Sequence, residues 1–228
     1  MELKILSWNI WVDCRFDELK KFLAASNADI IGLQEVRDGD TERDVIGYLT
    51  SLGYQHAAAL EQFWETRGFY FGPAIFSKFD IISSRTIELS EQHRRYALQA
   101  DIRIGETVLR VFNAHLRHEH QKHSDIQDLQ AETLLSQVSG DRALVLGDFN
   151  ATPDSTVYRK FADTLTNTDP SNTPTWSVYP EGCEVCNPQG IDTRLDYIFV
   201  TKDLKTHSPR VESSAASDHL PISVLVDL

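Results

Sequence analysis

Leu3 to Ser7 alternates and is mostly apolar, which predicts a first strand leading into Trp8-Asn9-Ile10-Trp11. From about Asp13 to Ser26 the apolar positions Phe16, Leu19, Phe22 and Leu23 fall at helical spacing and predict one amphipathic helix. Asp29-Ile30-Ile31-Gly32-Leu33 reads as a second strand, ending at Gln34-Glu35-Val36. Thr41-Glu42-Arg43-Asp44 has the shape of a capping box, with a helix from there to Leu52 and Gly53 as its stop. Tyr54 to Leu60 reads as a strand, and Glu61 to Gly72 as an aromatic-rich loop holding Phe63, Trp64, Phe69, Tyr70 and Phe71. Pro73 to Lys78 and Ile81-Ile82 look like strands about a turn at Phe79-Asp80. Tyr96 to Ile104 and Thr107 to Asn113 form the clearest hairpin, turning at Gly105-Glu106. A polar helix is expected over Ser124 to Val138. Thr152 to Gly190, rich in Pro, Thr, Asn and Gly, is expected to be mostly loop apart from a short helix near Val157 to Ala162. Arg194 to Thr201 and Ile222 to Val226 supply the last strands. Strands and helices mix without a repeat, so one domain over 1–228, with packed sheets and helices outside, is the expected architecture.

One run stands apart. Leu144-Val145-Leu146 is wholly apolar, as a strand buried on both faces should be, and it ends in Gly147-Asp148-Phe149-Asn150. Alternation along an extended chain sends Asp148 and Asn150 to one side and Phe149 to the other. A proton-accepting carboxylate beside a hydrogen-bonding amide at a strand end is useful for hydrolysis. An Asx-turn that merely ends the strand uses the same residues. The same habit recurs along the chain: apolar runs end in Asn9, Glu35 and His115, Asp196 interrupts Arg194-Leu195-Asp196-Tyr197, and Asp218-His219 precedes the last strand. If those ends converge, they bring together oxygen ligands for a hard cation and groups that transfer protons.

Composition narrows the options. The formal net charge of −12 argues against a broad basic surface that grips a nucleic-acid backbone, though not against a local basic patch. No apolar run approaches membrane-spanning length and the N-terminus has no signal-peptide pattern, so a cytoplasmic location is the expectation. Three cysteines do not make a disulfide framework. Nothing calls for an obligate protein partner, and a monomer is expected.

The segments Ser-Trp-Asn9-Ile, Leu-Gln-Glu35-Val, Asn113-Ala-His115-Leu, Gly-Asp148-Phe-Asn150, Arg-Leu-Asp196-Tyr and Ser-Asp218-His219 together resemble the endonuclease/exonuclease/phosphatase superfamily, the DNase I-like and exonuclease III-like metal-dependent phosphoesterases. They occur in the family's order from residue 7 to residue 219. The resemblance implies a four-layer α/β sandwich: two mixed β-sheets face to face, helices outside, the site at one rim. It also implies roles. Glu35 is the main Mg²⁺ ligand, with Mn²⁺ as a substitute, helped by Asn9 and Asp218. Asp148 orients or deprotonates the attacking water, and Asn150 holds that water or a phosphate oxygen. His115 contacts the phosphate, while His219 stabilises the transition state or assists the leaving group, with Asp196 setting its tautomer. Where some nucleases of the family carry an acid two residues after the first Asn, this chain has Trp11, which favours one metal over two.

The resemblance implies a phosphoester substrate. A nuclease or DNA-end-processing phosphodiesterase is slightly favoured, with nucleic acid as the partner. The alternatives are an inositol-phosphate or sphingomyelinase-like esterase and a catalytically silent phospho-ligand or protein binder. Phe63, Trp64, Phe69, Tyr70 and Trp176 read either as core and rim packing or as a stacking surface. Arg94, Arg95 and Arg117 read equally as local anion contacts and as solvated charge. His118, His120 and His123 read more readily as a solvated loop than as transition-metal ligands. Cys183-Glu-Val-Cys186, with Cys14 the only other cysteine, leaves open a zinc knuckle completed by histidines, a disulfide, or neither.

Overall fold

A computed structural model describes residues 1–12, 15–38, 42–91, 93–179, 181 and 183–228. Its elements in order are β1 (Glu2–Asn9), α1 (Phe16–Ser26), β2 (Ile30–Arg37), α2 (Val45–Ser51), β3 (Gln55–Ala58), β4 (Gln62–Trp64), β5 (Phe69–Ser77), β6 (Asp80–Ser90), β7 (Arg95–Ile104), β8 (Thr107–His115), α3 (Asp125–Gln137), β9 (Ala143–Asp148), α4 (Thr156–Thr164), β10 (Thr166–Asn167), β11 (Asp196–Val200), β12 (Lys205–Val211) and β13 (Ile222–Asp227).

Among the described residues these strands make two mixed sheets. The first runs β12-β13-β1-β2-β5-β3, with β4 also on β5; the second runs β10-β11-β9-β8-β7-β6. The β1–β2 and β8–β9 pairs are parallel and the other pairings antiparallel. Period-two alternation decides which side chains meet. Leu3 and Ile5 of β1, Leu109 and Val111 of β8, Leu144 and Leu146 of β9 and Ile198 of β11 share one core between the sheets. Leu6, Trp8 and Ile10 face outward with Leu19 and Leu23 of α1 and Leu49 of α2. Phe112, Val145, Phe149, Tyr197 and Phe199 face the other way, with Leu134 of α3 and Phe161 of α4. The result is the expected four-layer α/β sandwich. Both faces of β9 and β11 are buried, so Ala143 to Leu146 and Tyr197 to Val200 read as unbroken apolar runs.

Several local expectations needed correction. Residues 61–72 are not a loop: β4 and the start of β5 form a hairpin there, in register Gln62↔Phe71, Phe63↔Tyr70 and Trp64↔Phe69. Gly72, expected to close that loop, lies inside β5, where an added Cβ would stand 2.0 Å from the Ala59 carbonyl oxygen. β6 extends far beyond Ile81-Ile82, and β12 was not anticipated at all. Both are edge strands, pairing on one side only; β12 has no buried face, and β6 is exposed over most of its length, burying only Ile87 and Leu89 near its end. Asp44 caps α2, accepting the Gly47 N–H at 2.7 Å; the expected capping position Thr41, like Asp13, Cys14 and Gly182, lies outside the described residues. No helix among the described residues is long and apolar enough to cross a membrane.

Candidate active site

On the strands that bury Leu3, Leu109, Leu144 and Ile198 between the sheets, alternation carries Asn9, His115, Asp148 and Asp196 to the same inner side. Register sets their neighbours: Asp148 lies opposite His115 on one flank and Asp196 on the other. The other sheet contributes Asn9 and Glu35. Glu35 arrives by an irregularity. The β2–β5 register shifts between Leu33 and Val36, and Glu35 has a φ of 62°, a left-handed value uncommon for a glutamate. After inward Gln34 a regular strand would turn residue 35 outward; the bulge brings its carboxylate to the rim.

Asp148 is the hub. Its Oδ2 accepts from Asn9 Nδ2 at 3.0 Å and from Asn150 Nδ2 at 3.3 Å, and its Oδ1 accepts the Asn150 N–H at 2.8 Å. The turn that ends the strand and the polar pair in the site are therefore one structure. His115 Nε2 lies 3.5 Å and His219 Nε2 3.6 Å from Asp148 Oδ2. Asp196 Oδ2 stands 2.9 Å from His219 Nδ1, and Thr175 Oγ1 donates to the same oxygen at 2.6 Å. Asp196 thus holds the imidazole with Nε2 turned towards Asp148, as a carboxylate orients a catalytic histidine. Glu35 accepts from Asn9 Nδ2 at 3.2 Å and from the Val12 N–H at 3.0 Å. Asn9 Oδ1 accepts the Trp11 N–H at 3.0 Å, so the Asn9 amide presents its nitrogen to both carboxylates. Asp218 is held by Trp176, whose Nε1 donates to Oδ2 at 3.1 Å. All eight expected site residues converge on one rim.

These contacts shift acidities. Burial pushes Asp148 up to about 7; His219 pulls the other way and Asp196 adds to the rise. Burial also raises Glu35, and Asp218 raises it further. His115, buried and facing Arg95, is pushed well below its ordinary range and is neutral. For His219 burial opposes protonation, but Asp196, Asp148 and Asp218 outweigh it and hold the pKa well above normal. Stability of the metal-free protein should therefore fall as pH rises from 6.5 upward. Unfolded Asp148 has already lost its proton there and unfolded His219 is losing its own, while the folded site keeps the Asp148 proton to about pH 7 and the His219 proton further. His115 contributes the opposite slope only below 6.5. Melting of chelator-treated protein at pH 6.5 and pH 8.5 checks this; a higher melting temperature at pH 8.5 would contradict the assignment.

The donor set suits a divalent cation. Four carboxylates, Glu35, Asp148, Asp196 and Asp218, gather about two cationic side chains, Arg95 and His219. With all six ionised the imbalance is two negative charges, and this repulsion, from Asp218 on Glu35 and from Asp196 on Asp148, adds to burial in raising both pKa values. Within the site Asp148, Asp196 and His219 form a buried acid–imidazole cluster, with ligand atoms within 4.8 Å of one another. In that cluster Asp196 Oδ2 and His219 Nδ1 are already engaged with each other; Glu35 and Asp218 line the cleft, and their hydrogen-bonded oxygens each keep a second lone pair for a cation.

A cleft of about 670 Å³ opens above these groups, lined also by Trp11, Gln62, Phe63, Trp64, Phe71 and Arg95. Of the three arginines considered, Arg95 alone faces the cleft; its Nη1 donates to Gln62 Oε1 at 3.2 Å. Arg94 is exposed in a turn, and Arg117 pairs with Glu119 and touches His93. The aromatic set divides. Phe69 and Phe71 pack with Val12 and Trp64, whereas Tyr70 is exposed and Phe63 and Trp64 stand at the lip. Trp11 lines the cleft and stacks on Tyr179. Thr175 and Trp176 were not foreseen as supports of Asp196 and Asp218. They lie in a stretch without periodicity, and no local signal marks them.

A rim of this kind on an α/β/β/α sandwich defines a phosphoester hydrolase. The profile of the Endonuclease/Exonuclease/phosphatase family matches residues 6–219, and the chain belongs to that family, whose members are phosphoesterases. Solved structures agree in fold. An endonuclease/exonuclease/phosphatase from Bacteroides vulgatus superposes with a TM-score of 0.78 at 21% identity, covering 100% of this chain and 99% of the other. ANGEL2, a 2′,3′-cyclic phosphatase, gives 0.76 at 18% identity, covering 99% and 95%. The human Nocturnin catalytic domain with bound sulfate gives 0.73 at 20% identity, covering 99% and 94%. No curated protein matches the sequence.

Proposed function

We propose that this chain, acting as one domain, is a Mg²⁺-dependent phosphoesterase that cleaves a nucleotide-bearing phosphoester by in-line attack of water. A nuclease or nucleic-acid-end-processing role is favoured. The observation that carries this is the single constellation of Glu35, Asn9, Asp148 and the Asp196–His219 pair beneath one cleft. Glu35 and Asp218 would hold the cation, Asn9 joining through the Oδ1 lone pair that the Trp11 N–H leaves free. Mg²⁺, or Mn²⁺ in its place, would neutralise phosphate charge and acidify water. Asp148 takes the proton of the attacking water, and Asn150 and Asn9 hold that carboxylate in place. His219 carries a proton towards the leaving oxygen or the developing charge, its tautomer kept by Asp196. Arg95 and neutral His115 serve as contacts for phosphate oxygens at the cleft wall.

Substrate size points to an end rather than to the middle of a duplex. The cleft of about 670 Å³ has the volume of a small-ligand site. Its aromatic lip offers stacking to a base, and the net charge of −12 disfavours a long backbone. The similarity in fold to a 2′,3′-cyclic phosphatase supports including such ends among the substrates.

Single- and double-stranded DNA and RNA bearing 5′-tyrosyl, abasic or 2′,3′-cyclic termini, run on a denaturing gel with and without EDTA, test the proposal. Chelation should abolish cleavage, and Mg²⁺ should restore it. Glu35→Gln should raise the Mg²⁺ needed for half-activity by about tenfold or more. It should also shrink the rise in melting temperature that Mg²⁺ gives the wild type. Activity unchanged in EDTA would sink the metal role. Silence on every nucleic acid, with turnover of inositol phosphates or lipid head groups, would move the substrate to small phosphoesters.

A further inference from the structure

We propose that His118, His120, Cys183 and Cys186 form a second metal site, a tetrahedral Cys₂His₂ zinc centre beside the cleft. Two segments far apart in sequence supply it, a His-x-His in the loop after β8 and a Cys-x-x-Cys after residue 181. The ligand atoms of all four residues lie within 4.8 Å of one another. His118 Nε2 and His120 Nδ1 are 3.0 Å apart, and each is 3.3 Å from Cys186 Sγ. Cys183 Sγ lies 3.9 Å from His118 Nε2 and 3.7 Å from His120 Nδ1. Zinc bond lengths of about 2.3 Å to sulfur and about 2.0–2.1 Å to nitrogen give tetrahedral edges of about 3.3 Å between nitrogens and about 3.6 Å between nitrogen and sulfur. Five of the six edges already lie close to those values. The sixth joins the two sulfurs, which are bonded to each other as a disulfide here.

Further contacts are those of a metal-binding turn. The Cys186 N–H donates to Cys183 Sγ at 3.2 Å, a bond that stabilises thiolate character. His118 Nδ1 lies 2.8 Å from Asn150 Oδ1, so it carries the proton and leaves the Nε2 lone pair aimed at the sulfurs. His123, the third histidine of the run, turns away to Asp125 and Asp128 and takes no part.

The thiol state binds the metal. A thiol reductant gives two electrons and two protons to the Cys183–Cys186 bond, leaving two thiols and the reductant's own disulfide. Zn²⁺ then displaces both thiol protons as it binds. The ion would tie the loop after β8 to the cysteine turn, and through His118 it would fix Asn150. The site has soft sulfur and imidazole ligands, unlike the oxygen set at Glu35, so it selects a different metal.

Chelator-stripped, thiol-reduced full-length protein titrated with Co²⁺ alone, and separately with Zn²⁺ alone, tests the assignment. The wild type should bind one Co²⁺ with the thiolate-to-cobalt charge-transfer and intense visible bands of a tetrahedral sulfur site, and Zn²⁺ should displace it. Those bands should be lost in the Cys183→Ser, Cys186→Ser double variant. They should weaken and shift in His120→Ala, a surface change that leaves the core untouched. Far-UV circular dichroism confirms that each variant is folded. Glu35→Gln should keep the bands in full, so failure of the phosphoesterase reading would not disturb this result. Reduced, folded wild type that gives no thiolate band, or a serine double variant that keeps it, would overturn the zinc site and leave a disulfide flanked by paired imidazoles.

Discussion

Replacing Asp148 with Asn is expected to lower kcat by about 10²- to 10⁴-fold, the usual contribution of a positioned proton acceptor. The substitution is nearly isosteric but reverses half of the chemistry. Asp148 accepts three hydrogen bonds, from Asn9 Nδ2, Asn150 Nδ2 and the Asn150 N–H. An amide there keeps one acceptor and sets an NH₂ against the donor groups of Asn9 and Asn150. Removing a buried carboxylate whose pKa is pushed up to about 7 also relieves a desolvation cost, so the net change in stability should be small. His219→Ala should cost a similar factor and should also erase the alkaline limb of the kcat/KM profile. That limb reports loss of the proton that Asp196 and Asp148 stabilise on the imidazole. Because Asp148 and His219 face each other at 3.6 Å, the double variant should be only slightly worse than either single one. Steady-state kinetics with circular dichroism on each variant decides the matter. If both folded variants matched wild type, the roles given to these two residues would be wrong.

Gly147→Ala is expected to destabilise the protein by about 3 kcal/mol or more, a large share of the roughly 5–15 kcal/mol that holds a typical domain together. Gly147 has a φ of +142°, and a Cβ built there would lie 1.9 Å from the Ala114 carbonyl oxygen on the paired strand β8. Backbone cannot swing aside as a side-chain tip does. The strand must shift, and the hydrogen-bonded ladder that sets His115 beside Asp148 shifts with it. A urea midpoint well below wild type with an unchanged slope is the expected result. An unfolding free energy within about 0.5 kcal/mol of wild type would show that the strands do not approach that closely at Gly147 and Ala114.

Much of this site was legible before any coordinates. Period-two alternation placed Asp148 on the inner side and Phe149 opposite; Asn150, at a φ of 49° past the end of β9, meets Asp148 through the Asx-turn that the same residues also allowed. The order of the six motifs also carried the family and the sandwich. The difficulties came where local signals mislead. Gly72 reads as the end of a loop but sits inside β5, where it makes room for the Ala59 carbonyl. β12 hides because an exposed edge strand has no buried face to write into its sequence.

The sequence by itself determined the donors: which strands end in acids, amides and imidazoles, and that a His-x-His and a Cys-x-x-Cys exist. Only the tertiary structure decided which of them meet. The bulge at Glu35 turns its carboxylate inward, Thr175 secures Asp196, and Trp176 secures Asp218. It also chose Arg95 over Arg94 and Arg117, and His118 and His120 over His123. Alternation and spacing are properties of one strand or turn at a time, readable from neighbours in the chain. A contact between residues 118 and 186, or 175 and 196, is set by how two sheets and their loops pack. No local pattern encodes that distance.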